Sequence, residues 1–141
     1  MPAPVDSLPL PTVLIADDEP LVLKAISMTL LNNGYHVLQG RDGHEARAAL
    51  EKHCGQPLHL IITDIDMPGC GGQELAHFAR GQFSGVKVLY TSGKPRRRLP
   101  SSIAWDADNR FLEKPFATRD LMKSVRELLA NDAAPDMAAR A

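Results

Sequence analysis

Short apolar runs recur along the chain and alternate with stretches of helical spacing. Val13–Ala16 (VLIA), Leu58–Thr63 (LHLIIT) and Val86–Tyr90 (VKVLY) are apolar apart from His59 and Lys87. Runs of this kind suit strands buried on both faces of a parallel sheet. Tyr35–Gln39 reads as a second, less apolar strand and Phe111–Leu112 as a short fifth one. Between them, Pro20 suits the first turn of a helix running to Asn32, which carries Leu21, Ala25 and Met28 and also Val22, Ile26 and Leu30. Gly34 is a natural cap at its end. A second helix is expected from about His44 to His53, ended by Gly55 and Pro57, and a third from about Gln73 to Arg80. Thr118 begins a strongly amphipathic helix with Leu121, Met122, Val125, Leu128 and Leu129 on one side. Lys94–Asn109 is the least regular stretch. Pro95 and Pro100 interrupt it, Arg96, Arg97 and Arg98 are consecutive, and only a short helix near Ser101–Asp106 is expected there.

Strands alternating with helices five times over predict an α/β fold, a doubly wound parallel sheet with helices on both faces. The flavodoxin-like (βα)5 order 2-1-3-4-5 places the most apolar strands, the first and third, at the centre. The fourth helix is expected to be irregular or shortened. In such sheets, ligands sit beyond the carboxyl ends of the strands, at the switch point. That edge would collect Asp17 and Asp18 after the first strand and Asp64 after the third. Thr91 and Lys114, after the fourth and fifth, would stand beside them.

An Asp after a strand often only starts a turn or caps a helix. That reading does not explain why both acidic sites fall at strand ends. Two carboxylates about 4 Å apart repel by roughly 4 kcal/mol at an effective dielectric near 20, so such a cluster raises a pKa or recruits a cation. Hard oxygen ligands suit Mg²⁺, which takes one or two carboxylates and keeps waters or phosphate oxygens.

Composition narrows the field. A formal net charge of −1 gives no bulk attraction to nucleic acid or an anionic membrane. No run approaches the roughly 20 apolar residues of a membrane span. Residues 1–11 read as a flexible proline-rich leader, 12–130 as one folded domain and 131–141 as a disordered tail. Cys54 and Cys70 have neither metal nor disulfide spacing, which fits a reducing cytoplasm. The five histidines show no metal-like spacing either.

The segments VLIADDEP, LIITDIDMPGCGGQEL, VLYTSG and FLEKPF resemble, in order and spacing, the receiver domain of two-component response regulators. The resemblance spans about Thr12 to Ala130. It implies that Asp64 accepts a phosphoryl group from a histidine kinase or a histidine phosphotransfer protein. It implies that Asp18 holds Mg²⁺ directly and Asp17 mainly through water, with Asp64 and the main-chain carbonyl of Asp66 as further ligands. Thr91 and Lys114 would contact the phosphoryl oxygens, Phe111 would rotate with Thr91 on activation, and the Lys114–Pro115 peptide would be cis. The function implied is a stand-alone response regulator signalling through protein contact, with a receiver of a hybrid histidine kinase as the alternative. The chain departs from the family at Phe111, which has no hydroxyl, at Gly71, and at the weakened fourth helix. Arg96–Arg98 reads as a solvated loop, with attraction of an acidic partner as the other reading. Asp66 is a candidate for controlling hydrolysis of the phosphorylated state. Asp64-Ile65-Asp66 also looks like the DxD motif of haloacid-dehalogenase-type phosphatases, but that family has its acidic pair last and here Asp17-Asp18 come first. An unphosphorylated binding module is the remaining alternative, and the intact Asp17, Asp18, Asp64, Thr91 and Lys114 set weighs against it.

Overall fold

The computed structural model describes residues 10–140, with side chains through residue 130. Five parallel strands form one sheet: β1 Thr12–Ala16, β2 His36–Gly40, β3 Leu60–Asp64, β4 Lys87–Ser92 and β5 Asn109–Glu113, in the order β2-β1-β3-β4-β5. Helices α1 Pro20–Asn32, α2 Gly43–Lys52 and α3 Gly72–Gln82 follow the first three strands, and α4 Thr118–Arg140 follows the last. This is the expected flavodoxin-like topology. The leader expected over 1–11 lies outside the described residues except at 10 and 11. The tail expected over 131–141 coincides with the end of α4 as far as Arg140, where side chains are not described.

Residues of one strand alternate between the sheet's two faces, and here both are apolar. Val13, Ile15, Leu60, Ile62 and Leu89 pack with Leu23, Ile26 and Leu30 of α1 and Leu121, Met122, Val125 and Leu128 of α4. Leu14, Ala16 and Ile61 pack on the other side with Ala46 and Leu50 of α2 and Leu75 and Ala79 of α3. A one-residue slip of β1 or β3 would exchange these two sets, so the register is fixed by packing on both sides.

Two details differ from the expectation. β5 begins at Asn109 rather than Phe111, because its polar first residues find partners: Asn109 takes a hydrogen bond from Arg80, and Arg110 pairs with Glu127. No helix forms over Ser101–Asp106; the only helical turn between β4 and β5 is a 3-10 turn at Arg96–Arg98. Pro95 enters this turn extended, at φ −67° and ψ 156°, and Leu99 leaves it extended before Pro100. In place of a fourth helix, Leu99, Ile103 and Trp105 cover Val88, Tyr90 and Phe111.

Candidate functional site

The carboxyl ends of β1, β3, β4 and β5 meet at one edge of the sheet, and the chain leaves each of them through polar residues. Asp17 follows β1 directly and Asp64 is the last residue of β3. Thr91 is the register partner of Asp64 on β4, and the Ile65 amide donates to the Thr91 carbonyl at 3.0 Å. Lys114 follows β5, its amide donating to the Ser92 carbonyl at 2.8 Å. The Lys114–Pro115 peptide is cis, as the resemblance implied.

The loop after Asp64 is held tightly against α3. A Cβ on Gly72 would stand 2.4 Å from the Asp64 carbonyl oxygen, so only glycine lets the helix begin that close. The Gly72 amide donates to the Ile65 carbonyl at 3.0 Å.

Lys114 is the hub of the site. Its Nζ lies 2.9 Å from Asp17 Oδ2, 3.0 Å from Glu19 Oε1 and 3.2 Å from Asp64 Oδ2. Burial pulls the Lys114 pKa down, but the carboxylates of Asp17, Glu19 and Asp64 outweigh it and hold the ammonium well above its ordinary range. Asp64 is only 7 % exposed. Burial raises its pKa; Lys114 opposes that rise and Asp17 adds to it. Asp64 Oδ1 also accepts from the Asp66 amide at 3.3 Å.

Asp17, Asp18 and Asp64 each offer a carboxylate oxygen, and these oxygens lie within 4.8 Å of one another. Asp17 Oδ1 accepts from the Glu19 amide at 2.9 Å, so it also fixes the turn into α1, whose N-cap is Glu19. Three carboxylates around one point fit a hard divalent cation, and a single ammonium does not balance them. Thr91 is buried, at 1 % exposure, and its Oγ1 has no hydrogen-bond partner. An unpartnered buried hydroxyl is costly, and here it stands one strand away from the Asp64 carboxylate. Asp66 places its carboxylate outside the three-oxygen group, exposed and 3.5 Å from Lys94 Nζ. Phe111 is half-buried in the aromatic group with Tyr90 and Trp105.

The expected residues Asp17, Asp18, Asp64, Thr91 and Lys114 are thus brought together. Two further contacts were not anticipated. Glu19 shares Lys114, and its place directly after Asp17-Asp18 was the available signal. Lys94 reaches Asp66 from the loop after β4, and nothing in their spacing announces it. An open groove of about 840 Å³ runs from the carboxylates along Leu21, Val22, Ala25 and Ile26 of α1 to Pro115 and Phe116.

An acidic cluster and a lysine thus stand together at the switch point of a five-stranded α/β sheet of order 2-1-3-4-5. Residues 13–126 match the model of the response regulator receiver domain family, and the chain belongs to that family. Among solved structures it is similar to a response regulator receiver protein from Sinorhizobium medicae, at TM-score 0.78 and 30% identity over 89% of this chain and 99% of that one. The receiver domain of the hybrid histidine kinase CckA matches at TM-score 0.70 and 30% identity, over 84% and 98%. Among curated proteins, the sensor histidine kinase TmoS of Ectopseudomonas mendocina is 31% identical over 89% of this chain, which spans 13% of that protein. The response regulator receiver protein CpdR of Brucella abortus is 30% identical over 83% of this chain and 95% of its own length. No described helix is long and apolar enough to cross a membrane.

Proposed function

We propose that this receiver domain accepts a phosphoryl group on Asp64 from the phosphohistidine of a histidine kinase or a phosphotransfer protein. In that step the N–P bond of the phosphohistidine breaks and an O–P bond forms to Asp64, leaving the imidazole to take a proton. The observation that carries this reading is the Asp64 carboxylate, placed at the mouth of an open groove between an acidic pair and the Lys114 ammonium. Phosphoryl transfer has a loose transition state, so the protein contributes chiefly position and charge. Lys114, already 3.2 Å from Asp64, offsets the charge of the incoming phosphoryl oxygens. The unpartnered Thr91 hydroxyl gains an acceptor once Asp64 is phosphorylated.

Asp17, Asp18 and Asp64 would hold Mg²⁺, with the Asp66 carbonyl as a further ligand; the ion would supply the positive charge that lets an anionic carboxylate and an anionic donor approach. Asp66 would also act on the lifetime of the adduct, since its carboxylate and Lys94 stand at the groove mouth. Asp66→Asn with an unchanged dephosphorylation rate refutes that role. The groove wall on α1 is apolar, and Leu21 at its rim is 82 % exposed. This supports a protein as the physiological donor. The match to the response regulator receiver protein CpdR supports a response regulator that signals by protein contact. The matches to TmoS and the CckA receiver keep a hybrid-kinase receiver as the second reading.

Intact mass after incubation with Mg²⁺ and a small phosphodonor tests the central claim. One base-labile phosphoryl adduct, missing in Asp64→Asn and without Mg²⁺, is expected. Steady phosphate release from generic esters with no adduct would instead indicate a phosphatase.

A further inference from the structure

Glu19 makes a contact that its place in the chain does not require. It is the N-cap of α1, where a side-chain acceptor ordinarily bonds a helix amide, yet its side chain makes no such bond. Its main chain is fixed: the amide donates to Asp17 Oδ1 at 2.9 Å and the carbonyl accepts from the Leu23 amide at 3.0 Å. Only the side chain is free to turn. It reaches Lys114, whose Nζ donates to Glu19 Oε1 at 3.0 Å. Among the described residues the Glu19 carboxylate has no other partner.

Lys114 divides its hydrogen bonds unevenly. Nζ donates to Glu19 Oε1 and to Asp64 Oδ2, the latter at 3.2 Å. Asp17 Oδ2 lies nearest, at 2.9 Å, and is left buried without a hydrogen bond. An exposed carboxylate thus holds an N–H that a buried oxygen lacks. Burial decides which contact yields first. Asp17 is 1 % exposed and has no water to turn to. The Glu19 side chain is 61 % exposed and regains hydration as soon as it leaves. Asp64 is the third partner, and the groove opens over it with Glu19 and Lys114 in its lining.

We propose, on the reading that Asp64 is the phosphoacceptor, that Glu19 is a positioning residue acting through Lys114. Its carboxylate takes the place on the ammonium that a phosphoryl oxygen later occupies, and it swings out to water when the phosphoryl group arrives. The exchange runs in that direction because the phosphoryl group brings several anionic oxygens on Asp64 itself, against one carboxylate that must reach in from solvent. The contact stabilises the unphosphorylated site and is absent from the phosphorylated one. Glu19 therefore lowers the affinity of the site for a phosphoryl group. An ion pair with one exposed partner changes an equilibrium constant by roughly two- to fivefold, and that is the size of the effect.

Beryllofluoride, a tetrahedral anionic mimic of the phosphoryl group, probes the exchange in the full chain with Mg²⁺. Isotope-labelled lysine reports on Lys114 by NMR, its signal identified by its loss in Lys114→Met. Two variants separate contact from charge. Glu19→Gln removes the charge and weakens the contact. Glu19→Asp keeps the charge, but its shorter side chain falls out of reach of Lys114 and caps α1 instead. Both should bind beryllofluoride about threefold more tightly than wild type, and in EDTA both should shift the Lys114 signal. With beryllofluoride bound, the Lys114 signals of wild type and both variants should converge. Wild-type affinity in Glu19→Asp would mean that only the field of the charge matters, and overturns the proposal. So would unchanged affinity in both variants, or a Lys114 difference that survives loading undiminished. A wild type that takes up no more beryllofluoride than Asp64→Asn refutes the phosphoacceptor reading itself. A wild type that does take it up, with no gain in the Glu19 variants, leaves that reading standing and removes only the role of Glu19.

Discussion

Removing the Asp64 charge should make the fold more stable, and the size follows from the site's own distances. Lys114 Nζ lies 3.2 Å from Asp64 Oδ2, an attraction of roughly 5 kcal/mol at an effective dielectric of 20. Asp17, buried and with an oxygen within 4.8 Å, repels Asp64 by at least about 3.5 kcal/mol on the same scale. Asp18 adds a repulsion reduced by its exposure, and burial of Asp64 adds a desolvation cost. The opposing terms nearly cancel, with the balance against the ionised carboxylate, and this agrees in sign with the raised Asp64 pKa. Asp64→Asn keeps the shape and should stabilise the metal-free protein by about 1 kcal/mol at neutral pH, roughly 3–6 °C in Tm for a domain of this size.

The pH dependence fixes the interpretation. A carboxyl whose folded pKa is raised binds protons more readily in the native state, so stability falls as pH rises through that window. The advantage of Asp64→Asn is therefore largest above the raised value and vanishes below the ordinary value of 3.8. Mg²⁺ should narrow the gap as well, since a ligand that binds the folded wild type more tightly than the variant stabilises the wild type more by mass action. Urea and thermal melts in EDTA and in Mg²⁺, from pH 7 down to pH 4, measure all three effects. A variant no more stable than wild type in EDTA at pH 7, or a gain that does not shrink towards pH 4, refutes the reasoning.

Lys114→Met leaves the Asp17 and Asp64 carboxylates without their cation and should cost about 3 kcal/mol in EDTA, since breaking a buried pair strands a charge. Mg²⁺ should recover part of it and bind more tightly, as calorimetry would show. Thr91→Val replaces a buried hydroxyl that has no partner, so urea denaturation should find the variant equal to wild type or about 1 kcal/mol more stable. Gly72→Ala forces a Cβ against the Asp64 carbonyl and should cost about 1–3 kcal/mol in melts while slowing adduct formation.

The sheet and its order were legible because VLIA, LHLIIT and VKVLY are apolar without alternation, which only a sheet covered on both faces satisfies. The core of the site was legible for a related reason: Asp17, Asp64, Thr91 and Lys114 each lie at or just beyond the carboxyl end of a strand, and parallel strands bring such positions to one edge. Contacts set by the reach of long side chains were not. Glu19 and Lys114 are 95 positions apart and meet only because the loops after β1 and β5 point the same way. Lys94 finds Asp66 through the same accident of loop placement. The start of β5 was hidden because Asn109 and Arg110 read as loop residues until Arg80 and Glu127 are seen to satisfy them.

The stretch between β4 and β5 was legible as a weak helix, and its structure carries a consequence of its own. A helix covering the sheet holds itself by i to i−4 backbone bonds, so loss of one packed side chain leaves the others in place. Here the cover has only scattered turn bonds, such as the Leu99 amide to the Arg96 carbonyl at 3.1 Å and the Ile103 amide to the Pro100 carbonyl at 3.3 Å. Its position depends on Leu99, Ile103 and Trp105 gripping Val88, Tyr90 and Phe111. Trp105→Ala removes the ring shared by Arg96, Tyr90 and Phe111, which should release the whole segment as a unit. Hydrogen exchange should then show lost protection at Leu99, Ile103 and Asn109 together, with the β1 and β3 amides unchanged relative to global stability. Loss confined to the neighbours of Trp105, or spread evenly over the sheet, would show that the cover is held by something other than that aromatic stack.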